Sequence, residues 1–215
     1  MLPNFQNQTH KYLHGKVLDI GYVSKPLQME TELYGVDIQP APCPTHFKEV
    51  KVANLNAEPI PYADGFFDSV FAGETFEHVA NPVRLLAECN RVLVADGVLV
   101  LTIPNPYYWI EVLRSVFPAR FKSPENDQHF SSPTRLVVRA CAKRTSFVIE
   151  KEEGTFCHIP IIKKKVMLPR WPTLTSQIIY VLRKTGEFKN HSIVVSRPHG
   201  RPDLPKEFQI DARLF

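Results

Sequence analysis

Two acidic residues and a histidine stand close together in the segment Glu74-Thr-Phe-Glu77-His78. Residues three and four positions apart share a face of a helix, so a helix that begins by Glu74 would align the three side chains. Such a group can orient a bound molecule or remove a proton from it, and we predict catalytic roles for Glu77 and His78. Two alternatives stay open: a divalent cation site, and an acidic helix N-terminus without a chemical role. We assign no metal site, because the sequence does not locate the further ligands that a cation needs.

Further acidic residues and glycines follow short apolar runs, each of which we predict to be a buried strand. Asp19 and Gly21 end the first run, Asp37 ends the second, and Gly73 with Glu74 ends a later one. The carboxyl ends of parallel strands lie at one edge of a sheet, which is where such sheets bind their ligands. We therefore expect these residues to line one crevice.

Short apolar runs recur along the chain and are separated by turns or by amphipathic helices. Strands are predicted at 16–21, 33–37, 49–53, 67–72, 98–103, 147–150 and 178–182, and helices at 82–93, 110–117 and 132–140. Short apolar strands that alternate with helices indicate an α/β fold. We predict a Rossmann-like, doubly wound, seven-stranded and mostly parallel sheet with helices on both faces.

The composition is that of a globular protein and excludes a disordered, collagenous or coiled-coil chain. Of its 215 residues, 44% are hydrophobic and 22% are charged, which suits one domain. The 26 Lys and Arg exceed the 22 Asp and Glu by only four, so the net charge does not indicate a nucleic-acid partner. Because signal-peptide, membrane-span and zinc-type cysteine patterns are missing from the sequence, we expect a cytoplasmic protein with free thiols.

The predicted domain occupies residues 1–184 and begins with an extension over 1–13. Two of its segments are expected to lie apart from the sheet. One is a lid or acceptor-binding segment over 104–130, and the other is an irregular insertion over 154–172. Residues 185–215 are predicted to form a basic, proline-containing tail.

The ordered series of motifs resembles the class I S-adenosylmethionine-dependent methyltransferases, in particular the small-molecule branch with the ubiquinone and menaquinone methyltransferases. Val17-Leu-Asp-Ile-Gly21 is similar to the family's first motif, and Gly35-Val-Asp37 to the acidic end of its second strand. The segments that follow in the family's order are 53–68, 74–82, 91–97, 103–106 and 128–136.

The resemblance implies S-adenosylmethionine as cofactor and transfer of its methyl group to a small, lipid-linked or sugar-linked acceptor, with oxygen as the expected methylated atom. It assigns cofactor binding to Asp19, Gly21, Asp37, Asn54, Leu55, Gly73 and Glu74. In this assignment Asp37 accepts hydrogen bonds from the ribose hydroxyls, and Asn54 and Leu55 flank the adenine. The predicted catalytic residues are His78, Glu77 and His129, the last in a loop expected to fold over the crevice.

The loop after the first strand departs from the family pattern. The family places glycines two and four positions after Gly21, and this chain has Val23 and Lys25 there. A side chain at either position moves the backbone away from the cofactor or requires another loop shape. The departure supports an alternative function, a non-catalytic methyltransferase-like module that acts through a partner.

Macromolecular partners are only weakly indicated. Aromatic and basic residues in 107–122 indicate at most peripheral contact with a membrane surface. The run Lys163-Lys-Lys165 leaves contact with nucleic acid or anionic lipid open, but a run of three charges is typical of a solvated loop. The segment Ile103-Pro-Asn-Pro106 resembles a motif of DNA-methylating enzymes, but it follows the fifth strand instead of the fourth. We therefore expect a small-molecule acceptor and no nucleic acid.

Overall fold

A computed structural model of the chain describes residues 5–117, 131, 133–159 and 164–188. Its strands within these residues are β1 (Lys16–Ile20), β2 (Glu32–Asp37), β3 (Phe47–Val52), β4 (Phe67–Gly73), β5 (Leu93–Pro104), β6 (Phe147–Gly154), β7 (Phe156–Ile159), β8 (Lys164–Met167) and β9 (Gln177–Lys184). The helices are α1 (Phe5–His10), α2 (Pro82–Val92), α3 (Trp109–Val116) and α4 (Arg135–Arg144), with single 3-10 turns at Phe76–His78 and Pro172–Leu174. Each strand and helix predicted above is present, with ends that differ by a few residues.

Seven strands form the central sheet in the order β3-β2-β1-β4-β5-β9-β6. Strand β1 pairs in parallel with β2 and β4, β2 pairs in parallel with β3, and β4 with β5. Strand β9 runs antiparallel between β5 and β6. The predicted α/β, Rossmann-like, mostly parallel sheet is confirmed. Because β2, β1 and β4 are neighbours, their carboxyl ends lie side by side.

Side chains that alternate along the strands build a hydrophobic core on each face of the sheet. Leu18 belongs to the core that α2 and α4 cover, and Val17 belongs to the core on the opposite face. The second core is closed by Leu13, from the segment after α1, and by Tyr22 and Leu27, from the connection between β1 and β2. That connection, residues 21–31, forms turns and no helix, because only eleven residues separate the two strands.

Helix α2 is held in place at both ends by asparagine side chains. Asn81 caps the N-terminus, where its Oδ1 accepts a hydrogen bond from the Arg84 N–H at 3.1 Å. Asn90 is polar but fully buried on the apolar face. Its Nδ2 donates to the backbone carbonyls of Thr145 and Gly186, each at 3.0 Å. The helix is thereby joined to the ends of α4 and β9.

Residues 154–172, expected to be irregular, contain instead a hairpin of β7 and β8. The hairpin is attached to the start of α3, since the His158 N–H donates to the Tyr108 Oη at 2.8 Å. A strand pair outside the main sheet needs no buried apolar face, so its sequence lacks the signal that identifies the central strands.

Several predicted features lie outside the described residues. They include residues 118–130 of the predicted lid, which contain His129, and residues 189–215 of the predicted tail. In the described ranges, every helix is too short or too polar to cross a membrane.

Candidate active site

The carboxyl ends of β1, β2 and β4 bring several predicted residues to one edge of the sheet. Gly21 follows β1, and its N–H donates to the Val36 carbonyl of β2 at 2.9 Å. Asp37 ends β2, Gly73 ends β4, and Glu74 follows Gly73. Asn54 and Leu55 follow β3 at the same edge. The sheet therefore places these residues along one edge, and their roles in cofactor binding stay a prediction.

Two aspartate side chains hold the atypical loop that follows β1. Asp19 is buried, and its Oδ2 accepts the Leu27 N–H at 2.9 Å. Asp37 uses both of its oxygens, because Oδ2 accepts the Val23 N–H at 3.1 Å and Oδ1 accepts the Gln39 N–H at 2.9 Å. The backbone of this loop is thus held in place by hydrogen bonds to the side chains of Asp19 and Asp37.

The ends of β1 and β4 meet at Thr75, a residue that the sequence did not single out. Its hydroxyl lies 3.2 Å from the carbonyl oxygens of both Ile20 and Gly73. Gly21 adopts the left-handed region at φ 81°, and a Cβ there would lie 3.2 Å from the Thr75 Oγ1. Glycine at this position therefore keeps the end of β1 free of a side chain and close to β4.

Glu74 is held in a strained conformation at the end of β4. Its φ of 52° lies in the left-handed region, which a residue with a Cβ rarely adopts. The backbone N–H donates to the Thr102 carbonyl at 2.9 Å, and the carboxylate accepts a hydrogen bond from Gln177 Nε2. Gln177 begins β9, more than a hundred residues away in the chain, so no local sequence signal indicates this contact.

The expectation that Glu74, Glu77 and His78 share one helical face is wrong. A left-handed residue cannot begin a right-handed helix, so the chain forms only the 3-10 turn Phe76–His78 before α2. The three side chains nevertheless interact through their charges. The positive charge that His78 can carry favours the ionised form of Glu74, and the charge of Glu74 opposes ionisation of Glu77.

Glu77 is a buried carboxyl group without a hydrogen-bond partner for either oxygen among the described residues. The residue is only 1% exposed to solvent. Burial, with a smaller contribution from the charge of Glu74, raises the pKa of Glu77 to about 7. Burial raises the pKa of Asp19 to about 8 in the same way, and it also raises the pKa of Glu74. Glu77 and Asp19 are therefore at least partly protonated at neutral pH.

We expect Glu77→Gln to weaken the dependence of stability on pH. The pKa of Glu77 is higher in the folded chain than in the unfolded one, so its stabilising contribution is complete at acidic pH and is lost as the pH rises through about 7. Between pH ~5.5 and ~8 the loss in the free energy of unfolding is about 2 kcal/mol. Urea denaturation at both pH values measures it. Glu30 is exposed, so Glu30→Gln should keep the wild-type change in the free energy of unfolding between the two pH values. If Glu77→Gln showed that same change, the assignment would be contradicted.

Two cavities lie away from this edge. One of about 500 Å³ is at the amino ends of β1 and β2 and is lined by Lys16, Glu32 and Lys48 among others. Another of about 650 Å³ lies between α4 and β6, beside Arg139 and Lys151. Neither cavity is lined by the residues at the carboxyl ends of β1, β2 and β4.

Comparisons with known proteins agree with this geometry. Residues 18–101 match the family described as methyltransferase domain. The chain is 33% identical over 84 residues to the uncharacterized protein YafS of Escherichia coli, covering 38% of this chain and 35% of YafS. It is 36% identical over 55 residues to the sarcosine/dimethylglycine N-methyltransferase of Halorhodospira halochloris, covering 26% of this chain and 20% of that enzyme. The matches thus span only about a third and a fifth of these relatives.

Among solved structures, a methyltransferase of Thermotoga maritima that depends on S-adenosylmethionine superposes with a TM-score of 0.61. The superposition covers 83% of this chain and 87% of that one, at 16% sequence identity. At this identity the likeness concerns the fold. The chain therefore has the fold of the class I S-adenosylmethionine-dependent methyltransferases, and residues 18–101 carry the sequence pattern of the methyltransferase-domain family.

Proposed function

We propose that the protein transfers a methyl group from S-adenosylmethionine to an oxygen atom of a small, lipid-linked or sugar-linked acceptor. The observation that carries the proposal is the position of Asp37, a carboxylate at the carboxyl end of the strand beside β1 and Gly21. An acidic side chain at this place suits the two hydroxyls of a ribose. The match of residues 18–101 to the methyltransferase-domain family supports the same conclusion.

The residues at the crevice fit such a cofactor. Gly21 offers a strand end without a side chain, and each Asp37 oxygen accepts one backbone N–H, which leaves each oxygen a second lone pair. Beside Asp37, Ile38 is 58% exposed and Val52 is 57% exposed. Two exposed apolar side chains at the ends of adjacent strands suit a flat aromatic group such as adenine. When bound, S-adenosylmethionine supplies an electrophilic methyl group on a positively charged sulfur.

The chain itself would supply the proton acceptor. A hydroxyl acceptor must lose its proton as it attacks, and a side chain within hydrogen-bond reach of the hydroxyl can take that proton. We assign this role to His78, which lies close enough to Glu74 for the two side chains to interact through their charges. Glu77 is buried close to Glu74, and burial raises its pKa to about 7. Its ionisation near neutral pH therefore changes the net charge of this group of side chains. The contribution of His129 stays a prediction.

Calorimetric titration with S-adenosylhomocysteine tests the proposal. We expect binding at micromolar concentration, equivalent to about −8 kcal/mol. Incubation with radiolabelled S-adenosylmethionine and a panel of phenols, sugars and polyprenyl-linked sugars then tests transfer. Labelling of amines alone would contradict the choice of oxygen, and a folded protein without binding heat would contradict the cofactor assignment.

A non-catalytic binding module is the second candidate. The observation that favours it is the use of both Asp37 oxygens by the protein's own backbone N–H groups, together with Val23 and Lys25 in the loop. In this function the crevice edge is occupied by the loop and not by a cofactor. The same titration separates the two candidates. In either case we propose a cytoplasmic location.

A further inference from the structure

The apolar face of helix α3 is open to solvent. Trp109, Val112 and Val116 follow one another at helical spacing and are 36%, 43% and 61% exposed. Glu111 lies toward the opposite side of the helix, and Ser115 flanks the apolar face. A helix that packs on its own domain turns its apolar face to the core, so this face is suited to an external apolar environment.

A second exposed apolar segment lies beside the start of α3. Trp171 and Leu174 are 61% and 54% exposed. Asn105, just before α3, joins this segment because its Nδ2 donates to the carbonyls of Thr173 at 3.1 Å and Thr175 at 2.8 Å. Both tryptophans of the chain are thus exposed in the same region. We define the docking face by its members Trp109, Val112, Val116, Trp171 and Leu174.

The surroundings of the docking face are basic. From 154 to 186 the sequence contains no Asp or Glu and six Lys or Arg. Arg183 pairs with Glu150, and Lys184 is buried, which leaves Arg170 beside Trp171 and, within β8, Lys164 and Lys165. Basic residues next to exposed tryptophans and aliphatic side chains are typical of segments that bind anionic lipid surfaces.

Charge also distinguishes a membrane from the other possible occupants. A second copy of the chain would bring two basic faces together, and their charges would repel. Nucleic acid satisfies the charge and can stack on Trp109 and Trp171, but it leaves the aliphatic side chains of Val112, Val116 and Leu174 without an apolar partner. Acyl chains with anionic headgroups satisfy both the aliphatic and the basic part of the surface.

We propose that the docking face inserts into the interfacial layer of an anionic membrane, with α3 lying along the surface. The face borders the candidate active site, because β5 ends at Pro104 just before α3 and Gln177, which contacts Glu74, follows the Trp171–Leu174 segment. Resting on the proposed function, this placement makes the acceptor a lipid-linked molecule presented from the bilayer.

Vesicle binding by the full chain tests the proposal. Because both tryptophans lie on the docking face, their fluorescence reports on it directly. We expect phosphatidylcholine vesicles containing phosphatidylglycerol to sediment the protein and to shift its emission to shorter wavelength, and phosphatidylcholine alone to do so much less. Val112→Ser combined with Val116→Ser should weaken binding about tenfold or more. Arg170→Glu should weaken only the component that depends on phosphatidylglycerol.

A matched control is Leu136→Ser combined with Val148→Ser, which removes two apolar side chains that are 75% and 53% exposed elsewhere. This variant should bind vesicles like the wild type. Equal losses in both double variants, or no vesicle binding by the wild type, would overturn the proposal. If the protein is a dimer and vesicles do not shift its tryptophan emission, the docking face would instead be assigned to contact with a second copy of the chain. Titration of each preparation with S-adenosylhomocysteine shows separately whether the cofactor assignment holds.

Discussion

Replacing Asp37 with alanine is expected to weaken S-adenosylhomocysteine binding about a hundredfold or more. Hydrogen bonds to a charged acceptor contribute about 1.5–3 kcal/mol each, and two ribose hydroxyls would lose theirs together. The variant also loses the two acceptors for the Val23 and Gln39 N–H groups. The loop after β1 would therefore be less ordered, which adds to the loss of affinity.

The two contributions can be separated with Asp37→Asn. The amide oxygen still accepts one backbone N–H, but the charge and the second acceptor are gone. We expect this variant to lose less stability than Asp37→Ala and still to bind about tenfold or more weakly. Calorimetry measures the affinity, and thermal denaturation of the unliganded protein measures the stability. Asp64→Ala, at an exposed carboxylate paired with Arg91, should leave the affinity unchanged.

Wild-type affinity in Asp37→Ala would contradict the assignment of the cofactor to this edge of the sheet. A wild-type protein that binds nothing would instead favour the non-catalytic module, since Asp37 would then serve only to anchor its own loop. The two candidate functions thus differ at Asp37. The enzyme requires its carboxylate to bind the cofactor, whereas the binding module requires it only to anchor the loop.

The central sheet could be predicted from the sequence because its inner strands β1, β4, β5 and β9 are largely buried on both faces. The run of residues 98–103 in β5 is apolar almost throughout, and all six are buried. Parallel pairing then places the carboxyl ends at one edge. The clustering of Asp37 with Gly21 and Gly73 therefore follows from topology, although the residues are separated in the chain.

The local geometry of the site could not be predicted in the same way. The sequence spacing of Glu74, Glu77 and His78 allows a helix. In the fold, however, the Glu74 N–H donates to the Thr102 carbonyl, and the Glu74 carboxylate accepts a hydrogen bond from Gln177. These contacts come from β5 and β9, so they depend on the assembled sheet. Burial of Glu77 is likewise a tertiary property, because a glutamate beside a histidine is most often exposed.

The Asn105→Ala substitution is expected to lower the free energy of unfolding by about 3–4 kcal/mol. The residue is 1% exposed. Its Nδ2 donates to the Pro172 carbonyl at 3.3 Å in addition to those of Thr173 and Thr175, and its Oδ1 accepts the Tyr107 N–H at 3.1 Å. Alanine removes all four hydrogen bonds and leaves the buried Thr175 carbonyl without this donor, whereas the Pro172 carbonyl keeps the Thr175 N–H and hydroxyl.

Asn105→Asp sharpens the test, because aspartate has the same shape but cannot donate through an ionised carboxylate. Its oxygens would face carbonyl oxygens, so we expect a loss at neutral pH at least as large as for alanine. At acidic pH the protonated carboxyl can donate once and should recover part of the loss. Urea denaturation at two pH values measures both effects. Asn56→Ala, whose exposed side chain accepts the Ala80 N–H at 2.8 Å, should lose about 1 kcal/mol.

The same variants separate the roles of the two regions that Asn105 joins. The residue holds the Trp171–Leu174 segment beside the start of α3, and it lies apart from Asp37, which ends a strand on the other side of β1 and β4. Asn105→Ala, measured where it is still folded, should therefore weaken vesicle binding more than S-adenosylhomocysteine binding. An equal loss of both would mean that the docking face and the cofactor crevice form one cooperative unit, because a side chain at the β5 end would then control the ends of β1 and β2 as well.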